Sequence, residues 1–252
     1  MFQGIAWIHK GMTKQHMTQA RGFFKQALAL DPDSIEALVG GALIDLNEGA
    51  NFATDERAVP LAAAESALVR ALSLAPQHAR AHLYLGAVHI FTDRVAQGIA
   101  ECEQALALDR NLADAHGWIG LGKYFLGRAE ETEADILEAL RLSPSDVFAF
   151  RWLLRIGMAK VQLNKGIEAL AWFRRSIEAN RNFPLAHFHL AAALAQLGSL
   201  NEARAAAQAG FALDPGFTVR RFRVGTSGNN PKYLAGRKRM LEGLLIAGVP
   251  EG

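Results

Sequence analysis

The sequence predicts an all-α solenoid of six helix–turn–helix repeats, closed by a C-terminal capping helix. Three observations lead there. A pattern, Ala-x3-large-x2-Ala-x4-Pro, opens at Ala20, Phe24, Ala27 and Pro32 and returns at Ala64, Leu68, Ala71 and Pro76. It recurs, with substitutions, at Gly98, Cys102, Ala105 and Arg110, at Thr132, Ile136, Ala139 and Pro144, at Ala169, Phe173, Ser176 and Arg181, and at Ala203, Ala207, Gly210 and Pro215. The last members of these units lie 44, 34, 34, 37 and 34 residues apart, and a fixed period of this size marks stacked helical hairpins. Within each unit Ala, Leu and aromatic residues recur at three- and four-residue spacing, as helices packed on both sides require.

Taken in order, the repeats cover about 1–34, 35–78, 79–112, 113–146, 147–183 and 184–217, so the array spans 1–217 and leaves a basic tail with a capping helix over 218–252. Four of the eight prolines, Pro32, Pro76, Pro144 and Pro215, stand at repeat ends, where a helix must stop. Gly127 and Gly198 mark the turn between the two helices of their repeats. Repeat two carries ten extra residues over 47–60, read as a surface loop or a longer pair of helix ends, the Gly, Asn and Pro content suiting a loop. Repeat five carries three extra residues, and a start near Phe150 puts Gly157 at position 8 and Asn164 at the turn. After Pro215 the pattern fades, and a turn leads to Asn230 as N-cap and Pro231 at the first helical position. A helix over 231–247 then offers Leu234, Met240, Leu241, Leu244 and Leu245 as the stripe that shields the last repeat.

Composition narrows the class. Half of the residues are hydrophobic, which excludes a disordered chain. The single Cys102 rules out an intrachain disulfide and, at a large-apolar repeat position, reads as a small core residue; it suits a reducing compartment, and the expected location is cytoplasmic. The first residues lack the basic-then-apolar order of a signal peptide, and no stretch approaches the 18 apolar residues of a membrane span. Net charge is +2, unevenly placed: seven basic residues and no acid lie between Pro215 and Leu241, leaving −5 for the rest. That tail reads as a capping helix whose basic face points to water or docks on acidic repeats, with nucleic-acid contact as the alternative.

The repeat residues resemble the tetratricopeptide repeat (TPR) family, whose pattern has an aromatic or Leu at position 4, Gly or Ala at 8, Ala at 20, aromatic at 24, Ala at 27 and Pro at 32. Gly86 and Gly120 fill position 8 of repeats three and four, and Ala42 and Ala191 that of repeats two and six. The resemblance covers most of the chain and implies a right-handed superhelix with a concave groove. A narrower likeness, through Trp172–Asn180 and Glu242–Glu251, is to the C-terminal TPR segments of bacterial class III adenylate/guanylate cyclases and of TPR-bearing transcriptional regulators. Because the chain starts at Met1 inside the first repeat, no cyclase or DNA-binding domain is expected before it, and cyclase activity is not carried over.

No catalytic constellation emerges, so the chain is expected not to be an enzyme and to need no cofactor. The eight histidines include a ladder: His82, His116 and His187 each follow an Ala at one repeat position. That is a single structural slot used three times, without zinc-type Cys/His spacing, and no metal is expected. Gly225–Gly228 lacks the Lys of a phosphate loop. Glu130, Glu131 and Glu133 stand at a helix start, where negative charge offsets the macrodipole.

The groove is more informative. In TPR proteins, positions 2, 5, 6, 9, 12 and 13 of the first helix line the concave surface. Here they supply Tyr84 and Phe91 in repeat three, and Trp118, Leu121 and Phe125 in repeat four; Tyr84 and Trp118, like Phe91 and Phe125, are 34 residues apart. Such an apolar groove with aromatic anchors suits an amphipathic helix or extended peptide. Arg151 and Arg155, one turn apart, fall at groove positions whether repeat five starts at 147 or 150, and two guanidinium groups so placed suit a carboxylate or phosphate. They match half of the carboxylate clamp of TPR chaperone adaptors, but Leu83, Ala87 and Trp118 replace the other half, so that role is not expected. Two alternatives stand beside the binding reading: the aromatics fill a tight superhelix or lie under the chain's own tail, and the arginines pair with neighbouring acids such as Asp114 or Glu138. The functional expectation is a non-enzymatic scaffold that binds a protein or peptide through Tyr84, Phe91, Trp118, Leu121, Phe125, Arg151 and Arg155. A regulatory or dimerisation module for a separately encoded cyclase or transcription factor is the alternative, with a homodimer as one form it can take.

Overall fold

The computed structural model describes residues 2–10, 14–50, 57–224 and 228–252. These residues form helices joined by turns. The helices are α1 Phe2–His9, α2 Lys14–Leu30, α3 Ile35–Ala50, α4 Ala58–Leu74, α5 Ala79–Phe91, α6 Val95–Leu108 and α7 Ala113–Phe125. They continue with α8 Ala129–Leu142, α9 Ala149–Gln162, α10 Gly166–Ala179, α11 Pro184–Gln196, α12 Leu200–Leu213, α13 Val219–Val224 and α14 Pro231–Ile246. The chain divides into two compact units, Met1–Trp118 and Ile119–Gly252. Among the described residues no helix is long and apolar enough to cross a membrane.

The repeating slots are the buried face of the second helix in each pair. Ala64, Leu68 and Ala71 on α4, and Cys102 and Ala105 on α6, are closed to solvent in the first unit. Thr132, Ile136 and Ala139 on α8, and Ala169, Phe173 and Ser176 on α10, are closed in the second. Where the pattern departs from apolar residues, the substitute bonds to the first helix of its pair. The hydroxyl of Thr132 donates to the carbonyl of Gly120 at 3.0 Å, and that of Ser176 to the carbonyl of Phe150 at 2.7 Å. A buried hydroxyl is thereby satisfied at a slot that otherwise takes Ala.

The two irregular repeats have local causes. The three extra residues of repeat five lie at its start: six residues join α8 to α9, against four between α6 and α7, and α9 is one residue longer than α7. Gly157 then faces Phe173, and a Cβ there would come within 2.3 Å of the Phe173 ring. In repeat two, α3 continues to Ala50 and α4 begins at Ala58, so the described part of 47–60 is a longer pair of helix ends. Residues 51–56, the middle of the expected loop, lie outside the described residues. Pro60 falls in the first turn of α4, where a missing N–H breaks no helical bond. Gly127 and Gly198 take the positive φ values, 76° and 83°, of their interhelical turns, and Asn164 and Asp93 serve the same purpose at 60° and 63°.

Candidate functional site

In the first unit, Tyr84 and Phe91 come from α5 and Trp118 from α7. All three are part-buried, and they pack against a core that includes Leu46, Leu61, Leu85 and Val88. Phe91 meets Trp118 edge to face, with ring centroids 5.6 Å apart. The Arg57 guanidinium lies 5.8 Å from the Phe91 centroid while its Nε donates to the carbonyl of Gly49 at 2.6 Å. The result is an aromatic wall with a cation at its edge.

His78, His82 and His89 of this unit have protein partners. His78 caps α5, its Nδ1 accepting from the Ala81 N–H at 3.1 Å, with Nε2 3.1 Å from Glu36. His82 lies 2.6 Å from Glu101, and its Nε2 is 2.9 Å from the carbonyl of Pro76. In the second unit His187 Nε2 is 3.0 Å from the carbonyl of Arg181, again six residues back. That shared bond gives the ladder position a structural use. His89 sits 3.6 Å from Glu65, which also takes a fork from Arg94, and burial beside Arg94 lowers the His89 pKa. Among the described residues, no group of three or more His, Cys, Asp or Glu side chains could hold a metal.

In the second unit the first-helix face is covered by α14. Leu121 and Phe125 on α7 are buried. Tyr233 stands edge-on to both Phe125 and Tyr124, at 5.2 and 5.3 Å. Burial pushes the Tyr124 hydroxyl far above its ordinary pKa, so it stays neutral. With its amide oriented to satisfy both neighbours, Gln162 accepts from the Tyr233 N–H at 2.9 Å and donates to the Tyr124 carbonyl at 3.3 Å. Arg239 donates to the carbonyls of Val161 and Gln162, at 3.0 Å each, and so fills the open C-terminal carbonyls of α9. Gln196 donates to the Arg239 carbonyl, and Gly243 lies so near α11 that a Cβ would stand 2.4 Å from the Ala192 carbonyl oxygen. Counted from repeat starts at 113, 150 and 184, the residues touched are positions 12 and 13 of repeats four and five, and 9 and 13 of repeat six. These are groove positions. The chain's own helix occupies them.

Two devices hold α14 at its other edge. Asn230 caps it, the side chain accepting from the Lys232 N–H at 2.9 Å, with Pro231 at the first helical position. Arg237 is only 8% exposed; it donates to the carbonyls of Phe222 and Arg223 at 2.6 and 2.9 Å and to the Tyr233 hydroxyl at 3.3 Å. The segment leading into α13 packs on α11 and α12: Phe217 stacks on Phe188 at 3.8 Å, and Phe188 meets Phe211 edge-on. The basic tail therefore differs from its expected form. Arg237 and Arg239 are spent on backbone carbonyls, Arg221 bonds the carbonyl of Gly216, and Arg223 pairs with Glu251 at 2.8 Å.

Arg151 and Arg155 lie on α9. The Arg151 guanidinium sits 5.6 Å from the ring centroids of both Phe148 and Phe150, and Arg155 is 8% exposed. The acidic run at the start of α8 is drawn into ion pairs: Glu131 with Arg128 at 2.6 Å, Glu133 with Lys160 at 2.8 Å. Sequence reasoning missed His189, which occupies position 6 of repeat six. It is buried between Phe173 and Phe222, and its Nδ1–H donates to the Leu185 carbonyl at 2.7 Å. Burial, with the nearby Arg237 charge, lowers its pKa to about 4.

No family model matches the sequence, and no curated protein is similar to it at a significant level. Solved structures do match. PilF of Pseudomonas aeruginosa is 22% identical with a TM-score of 0.60, over 83% of this chain and 88% of that one. A thermophilic TPR protein of Thermus thermophilus is 19% identical with a TM-score of 0.58, over 71% and 91%. A chain of the Cut9–Hcn1 hetero-tetramer of the APC/C reaches 0.69 at 16% identity, over 88% of this chain and 42% of that one. At these identities the likeness speaks to architecture, and the architecture of this chain is the TPR helical-repeat fold.

Proposed function

We propose that this protein is a non-enzymatic interaction scaffold, working in the cytoplasm, that takes a peptide or helix of a partner protein against its first-helix face. The observation that carries this is the seating of α14. In the second unit the groove positions of α7, α9 and α11 already accept a helix, through an aromatic edge contact and arginine bonds to carbonyls. In the first unit the corresponding face presents Tyr84, Phe91 and Trp118 part-open. These are the anchors of the proposed site, since large rigid aromatics carry a disproportionate share of interface energy. Within the second unit taken by itself, Leu121 is buried and Phe125 lies against Tyr233, while Arg151 and Arg155 on α9 are proposed as an ionic contact for an acidic group.

The test is affinity capture from a source lysate with the intact chain and with Trp118→Ala. Loss of the captured set, with helical circular dichroism preserved, is the expected result. An unchanged set in Trp118→Ala, together with a changed one in a variant of the outward second helices, removes the proposal.

A further inference from the structure

The helix α14 is apolar on two sides. Its inner side, with Tyr233, Met240 and Leu244, is buried. Its outer side leaves Leu234 42%, Leu245 45% and Ile246 48% exposed, with Leu241 part-buried beside them. A helix that only closes a repeat array needs a polar outer face, so this outer stripe is unexplained by the fold.

The stripe has a register. Leu234, Lys238, Leu241 and Leu245 follow a four–three–four spacing, the alternation of a two-helix seam. The spacing reads the same in both directions. Laid antiparallel on a copy of itself, Leu234 falls opposite Leu245 and Lys238 opposite Leu241, with Glu242 of one copy beside Lys238 of the other. A parallel arrangement would instead set Lys238 against Lys238. Within the chain Lys238 and Glu242 are 3.9 Å apart, with side chains 78% and 49% exposed, so both charges face outward where a second copy would meet them. Arg237, Arg239 and Gly243 fix the helix from beneath, so the seam is already formed before association, which lowers the entropic cost of docking.

From this we infer that the outer face of α14 is a self-association surface that meets the same helix of a second copy, antiparallel, about a two-fold axis between residues 239 and 240. Such a contact is isologous and closed, so it stops at the dimer. One short seam is smaller than the roughly 800 Å² per partner of a standard interface, so the dimer forms at micromolar concentrations or above.

Sedimentation equilibrium of the full chain over a wide concentration range tests this. The expected result is a mass that rises toward two copies. Leu234→Glu with Leu245→Glu should remain monomeric with an unchanged melting temperature. Lys238→Glu should weaken the dimer about tenfold or more through Glu–Glu repulsion across the axis, and adding Glu242→Lys should restore it. Four results overturn the inference: a wild-type chain that stays monomeric throughout, a double-leucine variant that dimerises normally, a Lys238→Glu variant that dimerises normally, or a charge swap that fails to restore the dimer. Should the leucine variant fold poorly, the two charge variants, at exposed positions, decide the matter alone.

Discussion

Tyr233 of α14 and Phe125 of α7 meet edge to face with ring centroids 5.2 Å apart. They are 108 residues apart in the chain, and their contact joins the tail to the first-helix face of the second unit. Tyr233 also meets Tyr124, and its hydroxyl bonds Arg237, so one side chain ties three features together.

Tyr233→Ala should therefore be among the most damaging changes in the second unit. Truncating a buried aromatic costs about 3–5 kcal/mol. Tyr233→Phe keeps the ring and loses one hydroxyl contact, so it should cost about 1 kcal/mol. Urea unfolding of both variants checks this, and equal midpoints for Tyr233→Ala and wild type would show that α14 is loosely held.

The tail arginines should separate into two classes. Arg239→Gln leaves the last carbonyls of α9 without their charged donor, and Arg237→Gln does the same for Phe222 and Arg223. Each should cost about 1–3 kcal/mol, as charge-assisted bonds at part-buried sites do. Lys238→Gln, at an exposed position, should change stability by less than about 1 kcal/mol. Melting temperatures of the three single variants, taken at low protein concentration, read the difference.

The sequence and the structure agree most closely where one slot is used many times. Ala64, Leu68 and Ala71 could be read as buried because the same three positions return in every repeat. Asn230 and Pro231 announced the start of α14 through backbone chemistry alone. The destination of α14 was harder to read. A basic side chain has the same letter whether it faces water or the open carbonyls of a helix end, so Arg237 and Arg239 looked like surface charge. The missed signal was Gly236 and Gly243, seven apart on one helical face, where a Cβ would press on Gln162 and Ala192. Asn, Gly and Pro in repeat two suggested a loop, yet Asn47 and Gly49 lie inside α3, because tertiary packing outweighs their weak propensities. Of the site residues, the aromatic spacing told which positions share a face, while the covering of Phe125 depended on a helix from outside the repeat pattern.

Phe91 and Phe125, one repeat apart, should now behave differently. Phe125 is buried beneath Tyr233, so Phe125→Ala should cost about 3–5 kcal/mol of stability. Phe91 is part-buried against Trp118, and Phe91→Ala should cost less while weakening partner capture, by about thirtyfold if it anchors the partner. Thermal melts beside capture assays separate the two effects. A Phe91→Ala variant with full capture would remove Phe91 from the site.

The second unit should also lose stability on mild acidification, through His189. Its folded pKa, about 4, lies below the ordinary 6.5, because burial and the Arg237 charge disfavour the imidazolium. Above pH 6.5 the ring is neutral in both folded and unfolded chains, and its contribution is intact. Between 6.5 and 4 the unfolded chain binds a proton that the folded chain refuses, so stability falls as pH falls. Integrated over that window the loss is about 3 kcal/mol, at 1.36 kcal/mol for each pH unit. His189→Leu keeps an apolar side chain between Phe173 and Phe222 and cannot take up the proton. Its stability should start lower or higher by its own packing, but its slope over this window should be flatter than that of the wild type. Carboxylates such as Glu131 and Glu168, whose pKa values are lowered by Arg128 and Lys160, add their own loss in both proteins as they protonate, and it cancels in the comparison. Urea midpoints taken at successive pH values supply the two slopes. Parallel slopes from pH 6.5 to 4 would show that His189 is protonated as readily in the fold as in the open chain, and that the seat beneath Arg237 admits charge.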